Sequence, residues 1–187
     1  MRGAITKRIG KLVLPRRQHG FLRDQGGAIA VEFGLLALPF FAIVGAILET
    51  SLVFLSSQVL DSAVQDTSRL IRTGQVQTEP ISAAGFKQRI CDRLYGLFSD
   101  CDALHVEVQG LTSFNAANIS PPVDWTGANP GWTRDETFTP GVRSSIVLVQ
   151  VYYKWPTILN FGNMTLSNLP DGKRLLGAAA VFRNEPF

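Results

Sequence analysis

The stretch from Phe33 to Leu55 limits most strongly what this chain can become. It is 23 residues with one carboxylate, Glu49. As a helix it is long enough to cross a bilayer core of ~30 Å. Phe33 to Leu48 carries no charge at all. The other apolar runs, Ile146 to Val151 and Leu175 to Phe182, are too short for a helical span and read as strands. Charge then orients the span. Residues 1–27 hold seven Lys or Arg against Asp24, a net of +6, whereas residues 28–187 hold eleven basic and fourteen acidic side chains, a net of −3. A basic flank on the N-terminal side predicts that this side is cytoplasmic and the remainder lies across the membrane. Because the basicity is confined to the leader, the overall charge of +3 does not argue for nucleic acid as a partner. At 45% hydrophobic residues, wholesale disorder is excluded, and 187 residues suit one domain with an appended segment.

The residues in front of the span carry more information. A secretory signal has an apolar region of ~7 to 15 residues followed by a small-residue cleavage site. Here the apolar run is longer, and no small-x-small site follows it. What precedes it is Gly26-Gly27-Ala28-Ile29-Ala30-Val31-Glu32-Phe33. A basic leader ending in glycine, then a carboxylate followed by an aromatic, then an apolar helix, resembles the processing site of type IV prepilins. The resemblance implies a cut between Gly27 and Ala28, with Glu32 as residue five of the mature chain. Glycine at the scissile position leaves the backbone unobstructed for a peptidase. A glutamate at the edge of an apolar helix is costly to bury alone. In the family it is thought to pair with the N-terminal amine of a neighbouring subunit.

Glu32-Phe33, a cysteine pair in mid-chain and the run Phe182-Arg183-Asn184-Glu185-Pro186-Phe187 together resemble the TadE-like pseudopilins of tight adherence (Flp) pilus systems. That resemblance implies a minor pseudopilin or assembly factor, with the membrane, other pilin subunits, a prepilin peptidase and the inner-membrane pilus secretion apparatus as partners. It further implies a single-pass protein of the bacterial inner membrane with a periplasmic C-terminal domain, extracellular if built into a pilus. The alternative is an uncleaved, signal-anchored periplasmic scaffold of a secretion apparatus.

The organisation predicted is a leader over 1–27, a transmembrane helix over 28–55 and a periplasmic α+β domain over 56–187. Val59, Leu60, Ala63, Val64, Leu70 and Ile71 continue the helix amphipathically, with Asp61, Gln65, Asp66, Ser68 and Arg72 on the other side. Gly74 suits its C-terminal cap, and Pro39 is expected to kink or loosen the span. A second helix is expected from Pro80 to Phe98, with Phe86, Ile90, Leu94 and Phe98 on one stripe. Leu104, Val106 and Val108 alternate with His105, Glu107 and Gln109, predicting a strand buried on one face. Ser145 to Trp155 and Lys173 to Arg183 complete a small antiparallel sheet packed on the helix. Phe114 to Arg143, rich in Pro, Gly and Asn, reads as a long loop that is functional or mobile rather than structural. Trp125 and Trp132 within it could pack beneath the loop or present a contact surface.

Cys91 and Cys101, on the oxidising side of the membrane, are expected to form a disulfide that stabilises by about 2.5 to 3 kcal/mol. A metal or redox role is disfavoured, since the spacing is not Cys-x-x-Cys and His105 is the one histidine outside the leader. His105 itself is expected to face solvent. Phosphate-binding loops, HExxH and paired-glycine nucleotide motifs are missing from the sequence. No enzyme activity, cofactor, metal or small-molecule substrate is therefore expected. Asn118-Ile-Ser120 and Asn163-Met-Thr165 have the form of glycosylation acceptors and are read as chance. Glu49, ~25 Å along the helix from Glu32, is expected to sit in the far headgroup region, either marking the end of the span or making a helix-helix contact.

Overall fold

The computed structural model describes residues 25–79, 81–161 and 164–187. The leader through residue 24, Pro80 at the expected start of the second helix, and Asn163 lie outside the described residues. The chain divides at residue 42 into an N-terminal unit, described from Gln25 onward, and a second unit from Ile43 to Phe187.

Helix α1 runs from Gln25 to Arg72, with Pro39 inside it. It contains a segment long and apolar enough to cross a membrane, and none of that window is buried. From Val53 onward the buried positions are Val53, Ser56, Leu60, Ala63, Val64, Thr67, Ser68 and Ile71. These steps of three and four residues keep one stripe of the helix facing the core. Ser68, assigned to the polar side by the sequence pattern, is on the buried stripe: a small hydroxyl fits where a longer polar chain would not. α1 stops where Gly74 takes φ +80°, in the left-handed region that glycine enters without steric cost.

A short turn of helix, α2 (Gln75–Thr78), follows. Helix α3 covers Ala83–Asp92, with Ser82 as its N-cap accepting the Gly85 N–H at 3.1 Å. It is shorter than the apolar stripe predicts, because Tyr95 and Gly96 both adopt positive φ and turn the chain back. Phe86, Ile90, Leu94 and Phe98 are all buried, as the stripe requires. The turn brings Cys101 to Cys91, with Cα atoms 5.8 Å apart and the sulfurs at disulfide-bonding distance.

Strands β1 (His105–Leu111), β2 (Thr137–Phe138), β3 (Ile146–Pro156) and β6 (Lys173–Arg183) form a sheet in the order β2-β1-β3-β6. β3 pairs antiparallel with β1 (Val108 opposite Val149) and with β6 (Val149 opposite Ala180). A small hairpin, β4 (Asn160–Phe161) with β5 (Met164–Thr165), stands apart. The expected antiparallel sheet is in fact mixed, since β2 pairs parallel with β1. That edge comes from the segment 114–143, which the sequence reading treats as a loop; two residues are too few to show an alternating pattern. β6 forms despite its alanine run, because it pairs with β3 from Ile146 to Pro156, and tertiary pairing overrides intrinsic propensity.

Alternation along the strands sorts the sheet into two faces. Val106, Val108, Val147, Val149, Val151, Tyr153, Leu176, Ala178 and Ala180 join the stripes of α1 and α3 in the main hydrophobic core. His105, Glu107, Leu148, Gln150 and Tyr152 point to the opposite face and are buried too.

Candidate functional site

The predicted processing residues lie on one stretch of α1 in the N-terminal unit. Gly27 is already helical, and nothing lies within 4 Å of the position a β-carbon would take there. Ala28 and Glu32 are four residues apart, which places them on the same face one turn from each other. Both are exposed, as is Phe33 at 70%. Glu32 is the sole ionisable side chain between Gly27 and Leu48. Around it Ile29, Val31, Leu35, Leu36 and Leu38 are also exposed, so the described residues leave this carboxylate on an uncovered apolar surface. Such a surface is stable only if lipid or other helices cover it. Cys91 and Cys101, the other predicted pair, belong to the second unit.

In the second unit, the far end of α1 is closed by the last residues of the sequence. The Glu185 N–H donates to the Arg72 carbonyl at 2.9 Å, and the Arg72 guanidinium meets the Glu185 carboxylate at 3.3 Å. Both side chains are half exposed, so the ion pair itself adds little. The Phe187 ring occupies the space beside Gly74 that a β-carbon would fill, within 2.6 Å of it. Buried Asn184 donates from Nδ2 to the carbonyls of Pro140 and Val142, each at 3.0 Å, while its N–H bonds the Ser145 carbonyl at 2.8 Å. The Arg-Asn-Glu-Pro-aromatic run thus has a structural reason: it ties the helix end, the loop before β3 and the sheet edge together.

The sheet face turned away from the helices holds a polar cluster that the sequence reading missed. Glu107 is fully buried. Its Oε1 lies 3.0 Å from His105 Nε2 and accepts from Arg134 Nε at 3.3 Å; its Oε2 accepts from Arg134 Nη2 and Gln109 Nε2, each at 3.2 Å. Four donors on one carboxylate satisfy the charge that burial would otherwise penalise. His105, expected on the surface, is stacked against Trp132 with ring centres 4.4 Å apart, and Lys154 Nζ sits 4.2 Å over the same indole. Lys154 also donates to the Pro130 carbonyl. Arg134 bonds the Ser120 carbonyl at 2.8 Å. The segment 114–143 is therefore fastened across this face, with Trp132 packed and Trp125 left exposed. Beneath it the Tyr152 hydroxyl donates to Gln150 Oε1 at 2.7 Å. Burial, and next the Glu107 charge, push the Tyr152 pKa up. Burial pulls that of Lys154 down. With its acceptor sites occupied, the Glu107 carboxylate is not free to abstract a proton from a substrate; the cluster holds a loop down. Among the described residues, no group of three His, Cys, Asp or Glu is placed to hold a metal ion.

Glu49 has partners within its own chain that its place in the apolar run does not announce. It is 6% exposed and accepts the Ile158 N–H at 2.6 Å on Oε1 and the Leu159 N–H at 3.1 Å on Oε2. It holds a loop of its own chain.

Comparison with known proteins converges on the helix. The family model described as TadE-like protein matches residues 27–69. This region of the chain is TadE-like. The match begins at the glycine of the predicted cleavage site and ends one turn before the end of α1, so it covers the exposed apolar segment and most of the buried stripe but none of the sheet. No curated protein and no solved structure matches the chain. TadE-like proteins are structural or assembly components of tight adherence pili, so the match associates this chain with a membrane-bound pilus system.

Proposed function

We propose that the chain is a minor pseudopilin or assembly factor of a tight adherence pilus, anchored by residues 28–55 with its leader cytoplasmic and its domain periplasmic. On this reading a prepilin peptidase cuts between Gly27 and Ala28, and Cys91 and Cys101 form a disulfide in the oxidising periplasm. The observation that carries the proposal is Glu32, a lone carboxylate on an exposed apolar helix inside the TadE-like segment. After the cut, the new amine of Ala28 would lie one turn from that carboxylate. In a lone subunit the carboxylate can reach headgroups and water. When the helix joins other pilin helices, water is withdrawn, and the charge then needs a positive partner. The terminal amine of another subunit supplies one.

The decisive experiment compares wild type with Glu32→Gln in cells that make the pilus, scoring mature N-terminus, abundance and surface piliation. The mature chain is expected to begin at Ala28 in both strains, with piliation lost only in the variant. A wild-type chain that keeps its leader beside an active prepilin peptidase, or normal piliation in the variant, would instead favour an uncleaved scaffold.

A further inference from the structure

After β3 the chain enters an uncharged stretch: from Trp155 to Pro170 there is no ionisable side chain. The start of this stretch is held against α1 at a particular height. Glu49 accepts the N–H groups of Ile158 and Leu159. One turn earlier on the helix, Gly45 makes room for Leu159, whose Cδ1 lies 3.0 Å from where a β-carbon would be. The loop is thus seated on turns that still belong to the apolar run. At this height on the helix Leu48 is exposed at 59%, and Ile158 is exposed at 78%. Helix from residue 28 to residue 48 measures about 31 Å at ~1.5 Å per residue, the thickness of a bilayer core. A loop seated at residues 45–49 is then at the membrane boundary, not above it.

We infer that the turn Thr157–Leu159 is a second membrane-contacting element, which lays Ile158 into the lipid interface beside the helix and is held there by Glu49. The occupant of this surface is lipid because it lies at the height where the apolar span ends: an isoleucine exposed on the turns where Leu48 is also exposed meets the lipid that covers the span. The two backbone N–H donors also explain how Glu49 is accommodated at this depth with no cation beside it among the described residues, since hydrogen bonds to the charged form offset its desolvation. The inference rests on α1 being a membrane helix, and the experiment separates the two.

The photoreactive amino acid benzoylphenylalanine is placed at Ile158, at Leu38 within the span, or at Val142, which is exposed near the Asn184 end of the domain. The full chain is reconstituted into vesicles of phosphatidylethanolamine and phosphatidylglycerol, irradiated, and examined by mass spectrometry for phospholipid adducts. Adducts at 158 and 38, severalfold above those at 142, are the expected result. Adducts at 38 but not at 158 overturn the inference and leave the membrane helix standing. Adducts at neither position overturn both. A 158 crosslink to a second copy of the chain also overturns it, making this surface a subunit contact. Glu49→Ala should cut the lipid adduct at 158 severalfold and leave that at 38 unchanged; an unaltered yield at 158 overturns the role given to Glu49.

Discussion

The early and late parts of α1 differ in what covers their apolar side chains. Ile29, Val31, Leu35, Leu36 and Leu38 are exposed, whereas Leu60, Val64 and Ile71 are fully buried. The early part is apolar all round, whereas the late part is apolar along one stripe. What also separates them is that β1, β3 and β6 supply a cover for the later residues, while the earlier ones need lipid or other helices. An apolar residue becomes core only when something is brought over it. The late part should therefore answer to substitutions that loosen the domain, and the early part to substitutions that alter its encounters with other molecules.

Three measurements sharpen that division. The largest effect is expected from Glu107→Ala. It leaves His105 and Gln109 without an acceptor on a buried face and frees Arg134 from the sheet. Orphaned buried donors cost ~1–3 kcal/mol each, so the domain should lose about 3 kcal/mol, read as a lower denaturation midpoint of the full chain in detergent. Glu32→Gln in the same assay should leave the midpoint where it was; a comparable drop would erase the division. Next comes Cys91→Ser, expected to cost about 2.5 kcal/mol if the pair is oxidised, from the closure entropy of so short a loop. Alkylation of the denatured, unreduced protein should then label neither cysteine in wild type and Cys101 in the variant. Free labelling of both in wild type, exported by its native route, removes the disulfide.

The smallest effect concerns alkaline pH. Tyr152 has its pKa raised in the folded state, so its contribution to stability is present below its ordinary pKa of about 10 and is lost as pH climbs through the higher folded value. Lys154, lowered by burial, works in the opposite direction: the fold gains from it as pH rises toward the ordinary lysine value. Tyr152→Phe isolates the first contribution. Its stability should fall less steeply than that of wild type as pH rises above about 10, and parallel curves would show that the hydroxyl does not titrate with folding.

The features legible in the sequence were local ones. The span, the amphipathic continuation, the Gly74 stop and the buried stripe of Phe86, Ile90, Leu94 and Phe98 all follow from spacing within a few turns of chain. The TadE-like resemblance, read from Glu32-Phe33, the cysteine pair and the run from Phe182 to Phe187, is matched by the family model over 27–69, which contains the first of these and neither of the others. The outer sheet face was illegible because its cover is remote in sequence. Alternation places His105 and Glu107 opposite Val106 and Val108 correctly, but nothing near them announces that Trp132 and Arg134 will fold over. A charged residue at a strand position, with an arginine and a tryptophan in a long loop, was the available signal, and it is common enough to be ambiguous. The partners of Glu49 were hidden for the same reason, since Ile158 and Leu159 lie far along the chain.

The closure of α1 by residues 184–187 bears on when this helix end can be covered during synthesis. Synthesis proceeds from the apolar helix toward that cap, so the carbonyl end of α1 is made long before the groups that close it. Until β6 emerges, β3 has an unpaired edge of Val, Tyr and Trp, and Gly74 has no ring beside it. Contacts of such long sequence separation form slowly, because loop-closure entropy is lost before they reward it. The nascent chain therefore spends its immaturity with an open sheet edge, the form most exposed to proteases and to wrong pairing. A chain cut short before Asn184 would carry all of α1 and yet lack the groups that close its end.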